Sequence, residues 1–347
     1  MRRLALALAL LVLGLAGCGE KQEGAGVSSG RLEPFTIVLD YFPNADHAGL
    51  YAAQAAGDYK RAGLDVRIQA PPDPSAPLKL LQAGRADLAI SYEPELLLAR
   101  EKVSAPRQLV SVGALVQKPL TSVMALPGSG VRAIADLEGK RVATAGIPYQ
   151  TAYLKTLLRA AGVDPATVKE TNVGFDLTPA LLSGKVDATL GAFWNYEGTD
   201  LAQRGRNPVI LRMERLGIPT YNELVLVARR PDLDEPGSSK VRRFLRATAR
   251  GHERLRDDPA RGVDALLAAD EGLERKLQEA VVRATLPVFF PEDPKRPFGY
   301  QDPEEWDAYG RWMFENKLLT RPPNARRALT NEFLPGEGLD PEPAGRK

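Results

Sequence analysis

The apolar positions of this chain fall into short runs that alternate with helical stretches closed by glycine, and the arrangement is written twice. FTIVLDY (Phe35–Tyr41) reads as a buried strand. HAGLYAAQAAGDYKRAG, from His47, has helical spacing that stops at Gly57 or Gly63, and LDVRIQA alternates as a strand does. SAPLKLLQAG predicts a short helix ended by Gly84, with ADLAISY as the next strand. The pattern restarts after VMALPGSG: RVATAG (Arg141–Gly146) is a strand, TAYLKTLLRAAG (Thr151–Gly162) a helix, VKETNVG a strand, DLTPALLSG a helix ended by Gly184, and VDATLGAF a strand. Even the wording recurs. LQAGRADLAISY at Leu81–Tyr92 returns as LLSGKVDATLGAFW at Leu181–Trp194, and Ala62-Gly63-Leu64-Asp65 returns as Ala161-Gly162-Val163-Asp164. Helices inserted between strands imply right-handed crossovers and parallel pairing, so the fold class is α/β, with two lobes of like construction.

LVLVARR (Leu224–Arg230) is a further strand, expected to return the chain to the first lobe; the remainder from about Lys240 is mostly helical. The expected boundaries are 34–122 and 224–347 for a discontinuous first lobe and 123–223 for the second. Two crossings between lobes leave a hinged cleft. Trp306, Trp312 and Phe314 fall at helical spacing and read as core.

The amino terminus follows another logic. Arg2 and Arg3 precede the apolar run LALALALLVLGLA, and Leu15-Ala16-Gly17-Cys18 closes it, which is the layout of an export signal over residues 1–18. The run is too short to span a bilayer. Cys18 is the sole cysteine, so no intramolecular disulfide exists. Leu-Ala-Gly-Cys resembles the lipobox of bacterial lipoproteins, which implies acylation of Cys18 and a membrane anchor. Residues 19–33, Gly/Ser-rich and polar at their start, read as a flexible tether. The expected location is the outer face of the bacterial cytoplasmic membrane.

Across 347 residues the charge is nearly balanced, 46 basic against 44 acidic, so nothing calls for nucleic acid. His47 and His252 are the only histidines, without metal-ligand spacing, and no Walker-type phosphate loop occurs. Neither metal nor cofactor nor catalytic residue is expected.

Anchor, tether and paired lobes resemble the solute-binding proteins of ABC importers, with a two-lobed, periplasmic-binding-protein-like (type II) fold in which each lobe is a mostly parallel sheet flanked by helices. YFPNADHAGLYAAQAAGDYKRAGLDVRI (Tyr41–Ile68) is similar to the opening motif of proteins that bind thiamine pyrimidine precursors, and the similarity continues through QAGRADLAISYEPE, DLEGKRVATAGIP and DATLGAFWNYEG. The resemblance implies a monomer that captures a small heterocycle such as hydroxymethylpyrimidine or its formylated aminomethyl relative, and delivers it to an ABC permease with its ATPase. Riboflavin, alkanesulfonates, taurine and nitrate are the alternatives within the wider group. The fungal pyrimidine synthase of thiamine synthesis shares the fold, but its cysteine-rich motif has no counterpart here.

Ligands of open α/β sheets bind beyond the carboxyl ends of strands. The candidates there are Tyr41, Asn44 and His47; Tyr92 and Glu93; Tyr149; Trp194, Asn195, Tyr196 and Glu197; and Tyr221 and Asn222 before the return strand. This set holds aromatics, amides and carboxylates but no lysine or arginine. A sulfonate or nitrate would want a guanidinium fork or an ammonium. An aminoheterocycle wants rings to pack on and a carboxylate to accept its N–H donors. Asp87 and Asp187, paired by the repeat, open their strands at the end away from the cleft and are expected to serve structure.

Overall fold

The computed structural model describes residues 31–102 and 108–336. The expected export signal, Cys18 and most of the tether lie outside them. In the first lobe, β1 (Glu33–Val38) lies between β2 (Leu64–Gln69) and β3 (Leu88–Ser91), parallel to both. The sheet continues through β10 (Leu224–Arg229) to β4 (Leu109–Val116), giving the order β2-β1-β3-β10-β4. β10 runs against both neighbours. The second sheet has order β7-β6-β8-β5-β9, from β5 (Thr121–Ala125), β6 (Arg141–Thr144), β7 (Lys169–Asn172), β8 (Ala188–Phe193) and β9 (Val209–Arg212). Here β5 opposes β8 and β9. Each lobe is therefore a five-stranded sheet with one reversed strand.

The chain passes from β4 to β5 through residues 117–120 and returns to β10 just after Glu223. The first crossing thus precedes the boundary expected at 122/123, because β5 already pairs from Thr121. β4, β5, β9 and α4 (Glu93–Glu101) were not legible as periodic segments. β4 reads LVSVGALV and is buried at every position, so neither alternation nor helical spacing marks it. Of the late aromatics, Trp306 is buried, Trp312 half-buried and Phe314 exposed, so Phe314 is not core.

The repeated phrase has a structural reason. Asp87 N–H donates to Thr36 O (2.8 Å) while Thr36 N–H donates back to Asp87 Oδ2 (2.7 Å). Asp187 makes the same ring with Arg141, at 2.9 and 2.8 Å, and adds a charge-assisted bond to its guanidinium (2.8 Å). Each aspartate thereby fixes the start of a central strand to its neighbour. The preceding Gly84 (φ 70°) and Gly184 (φ 69°) take the left-handed conformation that ends the helix before it.

The C-terminal helices, α8 (Gly237–Asp257), α9 (Pro259–Ala269), α10 (Arg275–Phe289) and α11 (Pro303–Glu315), complete the first lobe. α8 packs on α1 (Ala48–Ala55) through facing glycines. A Cβ on Gly251 would stand 2.1 Å from Gly49 O, and one on Gly49 would stand 2.4 Å from the His252 ring. This close approach sets α1, and with it the turn that precedes α1, which supplies one wall of the cleft. Gly251→Ala should therefore lower the urea midpoint by an amount equivalent to about 1–3 kcal/mol, the usual result of overpacking against a backbone that cannot yield. An unchanged midpoint would contradict the tight α1–α8 contact.

Candidate functional site

The cleft lies where the carboxyl ends of the two sheets face each other. β1 ends at Val38, and Asp40 and Tyr41 follow it into a cavity of about 470 Å3, open mouth included. A 3-10 turn, Ala45–His47, then leads into α1; Asn44 caps it by accepting Asp46 N–H through Oδ1 (2.8 Å). His47 Nδ1 accepts Asn44 N–H (3.3 Å), which places the ring proton on Nε2, where it donates to Asp40 Oδ1 (2.8 Å). Tyr92, directly after β3, donates its hydroxyl to Asp40 Oδ2 (2.8 Å). Asp40 is thus a buried carboxylate held by two side-chain donors.

The second lobe supplies the opposite wall. Along β8, Gly191 and Phe193 face the cavity. Gly191 has φ 112°, and a Cβ there would stand 2.2 Å from Gln150 Nε2, so only glycine fits. Tyr149 and Gln150 open α5 (Pro148–Ala160); the rings of Tyr92 and Tyr149 approach to 5.4 Å, and Phe193 stands edge-on to Tyr92. Tyr196 and Glu197, at the head of α7 (Glu197–Gln203), complete this side. Among the described residues that line the cavity there is neither lysine nor arginine.

Its acids are strained by that lack. Asp46 is 1% exposed; desolvation pushes its pKa up to about 6 despite the counter-pull of His47 and of two hydrogen bonds. Asp46 Oδ1 accepts from Asn195 Nδ2 (2.7 Å) and Thr285 Oγ1 (3.1 Å), while Oδ2 is buried and unpartnered. Glu197 is half-buried as a residue but its carboxyl group is enclosed, and desolvation pushes it to about 7 although Phe193 N–H donates to Oε2 (2.7 Å). A buried acceptor without a donor is unfavourable, by roughly 1–3 kcal/mol. A bound molecule carrying N–H groups would remove that deficit.

Contacts reach across the cleft. Tyr41 donates its hydroxyl to Phe175 O (2.7 Å), and its ring meets Phe42 and Phe175 at 4.5 Å each. Asp46–Asn195 is a second link, and Gln278 Nε2 to Tyr196 OH (3.3 Å) a third. The structure is a closed form of the cleft.

Of the residues expected from strand ends, Tyr41, Asn44, His47, Tyr92, Tyr149, Tyr196 and Glu197 line the cavity. Five do not. Trp194 lies in the turn just after β8 and is directed away from the cavity; its Nε1 donates to Pro119 O (2.9 Å), and Arg212 covers its ring at 3.8 Å. Asn195 is buried against Asp46 and Thr285, bridging the lobes instead of facing the cavity. Glu93 turns beneath Tyr92 to accept Asn222 N–H (2.8 Å). Tyr221 and Asn222 belong to the return crossing, Tyr221 bonded to Glu223 (3.1 Å) and Asn222 to Gln117 O (3.2 Å). Asp40, Asp46, Gln150 and Phe193 line the cavity without having been singled out. Asp40 and Phe193 fall inside the runs read as strands, so the strand-end rule passed over them; Asp46 became visible only with the 3-10 turn.

A family model described as NMT1/THI5 like matches residues 44–262. A formylaminopyrimidine-binding protein of Halalkalibacterium halodurans is 34% identical, over 94% of this chain and 97% of its own length. A 4-amino-5-hydroxymethyl-2-methylpyrimidine phosphate synthase of Legionella pneumophila is 27% identical, over 86% and 92%. Among solved structures, the alkanesulfonate-binding protein SsuA of Xanthomonas axonopodis pv. citri, bound to MOPS, superposes with a TM-score of 0.65 at 20% identity, covering 87% of this chain and 99% of that one. At that identity the likeness is one of fold, and the fold is the two-lobed one of periplasmic binding proteins.

The Asp46 carboxyl makes a checkable claim. Its folded-state pKa lies above the unfolded 3.8, so between pH 4 and 6 the folded chain holds a proton the unfolded chain has lost. Stability contributed by this group therefore falls as pH rises through that window, by on the order of 3 kcal/mol. Asp46→Asn lacks the titration. Measured by urea unfolding at pH 4 and pH 7, the stability of the variant relative to the parent should rise by about that amount. A flat difference would show that the carboxyl is not buried as described.

Proposed function

Because the chain belongs to the NMT1/THI5-like family, we propose that it is the solute-binding component of an ABC importer and that its cleft takes an aminopyrimidine precursor of thiamine, of the hydroxymethyl or formylaminomethyl kind. One observation carries this reading above the others: Asp40, Asp46 and Glu197 share a cavity whose described lining holds no lysine or arginine, and Asp46 Oδ2 has no donor. An exocyclic amine and a protonated ring nitrogen are N–H donors of the kind that vacant acceptor requires. Each charge-assisted bond contributes about 1.5–3 kcal/mol net. Tyr92, Tyr149 and Phe193 offer ring surface for a flat heterocycle. The name of the Halalkalibacterium relative points the same way.

The mechanism is capture without chemistry. A molecule touching both lobes favours the closed form over the open one and shifts the population toward it. Tyr41–Phe175 and Asp46–Asn195 are bonds available only when the lobes meet. Release to a permease then requires breaking them. Acylation of Cys18 would hold the chain at the outer face of the cytoplasmic membrane, with acyl chains in the bilayer and the body in water.

The name of the Legionella relative suggests a synthase as the second reading. Against it, the single cysteine of this chain is Cys18, in the expected export signal, so the cysteine-rich motif of the fungal synthase has no counterpart here.

Calorimetric titration separates the readings. The protein should bind a 4-amino-5-substituted 2-methylpyrimidine and show no heat with taurine, MOPS or nitrate. Glu197→Gln and Asp46→Ala should each weaken pyrimidine binding tenfold or more, on the order of 1.4 kcal/mol. A sulfonate that outcompetes the pyrimidine would overturn the proposed ligand. A new pyrimidine product formed on incubation with pyridoxal phosphate and iron would overturn the non-enzymatic role. In cells, palmitate label should enter the protein and be lost in Cys18→Ser; label that persists would remove the anchor.

A further inference from the structure

Two stretches of chain cross between the lobes, residues 117–120 outward and the segment ending at Glu223 on return. Any rotation of one lobe against the other must be absorbed in these two segments, so the groups that join them govern how far they can turn. Glu223 is wholly buried and lies outside the cavity lining. Its Oε2 accepts Leu120 N–H (2.6 Å), Thr121 N–H (2.8 Å) and the Tyr221 hydroxyl (3.1 Å), while Oε1 accepts the Thr121 hydroxyl (2.8 Å). Four donors drawn from both crossings and their ends thus converge on one carboxylate.

Its neighbour reinforces the joint. Asn222 Nδ2 donates to Gln117 O on the outward crossing (3.2 Å), and Asn222 Oδ1 accepts from Trp306 Nε1 of α11 (2.8 Å). The clip also reaches the cavity wall. Thr121 Oγ1, having given its proton to Glu223, accepts from the Tyr149 hydroxyl (3.2 Å), and Tyr149 lines the cavity. Behind it, Tyr149 stands edge-on to Tyr153, whose hydroxyl meets that of Tyr309 on α11.

We infer that Glu223 is a positioning residue: it clips the two crossings together in the closed form and, through Thr121, holds Tyr149 at the cavity wall, so that it sets the closure of the cleft and the residence time of the bound molecule without touching that molecule. The second half rests on the cleft being the solute site; the first half does not. The converging donors explain why a carboxylate is used although burial pushes its pKa up to about 7. An acceptor-only group can satisfy several converging N–H and O–H donors, whereas a carboxamide would turn an NH2 toward one of them.

The test compares Glu223→Gln, Thr121→Val and Thr121→Ser in the full chain. X-ray scattering without ligand reads lobe opening, and stopped-flow dissociation of the aminopyrimidine reads residence time. Glu223→Gln and Thr121→Val should both enlarge the radius of gyration and speed dissociation about tenfold or more, while Thr121→Ser, which keeps the hydroxyl, should match the parent in both. If Glu223→Gln does not fold, the Thr121 pair decides alone. Parent-like scattering and dissociation in a folded Thr121→Val and Glu223→Gln would overturn the clip. Should the parent bind no aminopyrimidine while the scattering still shifts, the clip stands and the proposed ligand falls.

Discussion

Carboxylates enclosed away from water and without a cation beside them are unstable neighbours, and the cleft is organised around three of them. Asp40 is quieted by donors from His47 and Tyr92. Asp46 is half-satisfied by Asn195 and Thr285, and Glu197 by a backbone N–H, and desolvation leaves both with raised pKa values. The cavity is therefore complete only when something supplies further N–H donors or protons. On the proposed reading, that requirement disfavours anions, which would add charge of the same sign, and favours flat amines, which add donors and ring surface together.

The fold exists to bring these groups to one place from distant parts of the chain. Each lobe contributes the carboxyl ends of a parallel strand set, fixed in register by a reciprocal aspartate–backbone ring, Asp87 with Thr36 and Asp187 with Arg141. The reversed strands, β5 and β10, are the ones the chain enters directly after its two crossings. Both crossings converge at Glu223, and a chain of hydrogen bonds runs from it through Thr121 to Tyr149 at the cavity wall.

Most of the architecture was legible in the sequence because glycine and period do not depend on distant contacts. Gly63, Gly84, Gly162 and Gly184 all take positive φ where the pattern ends a helix. The site was legible only as far as local rules reach. Reading outward from strand ends reached Tyr41, Tyr92 and Glu197, but passed over Asp40 and Phe193, which read as parts of their strands, and took Trp194, which the turn after β8 directs to Pro119 and Arg212. Glu93, Asn195, Tyr221 and Asn222 carry the chemistry of ligand residues yet spend it on the hinge and the lobe contact. That choice between ligand and scaffold is tertiary, and no spacing in the chain records it.

A crystal structure of the protein with a 4-aminopyrimidine in the cleft tests the central claim most directly. The account predicts the exocyclic amine or a protonated ring nitrogen within hydrogen-bond distance of Asp46 Oδ2, with the ring against Tyr92, Tyr149 or Phe193. A pyrimidine turned with its amine to solvent, or an anionic group seated among Asp40, Asp46 and Glu197, would contradict it.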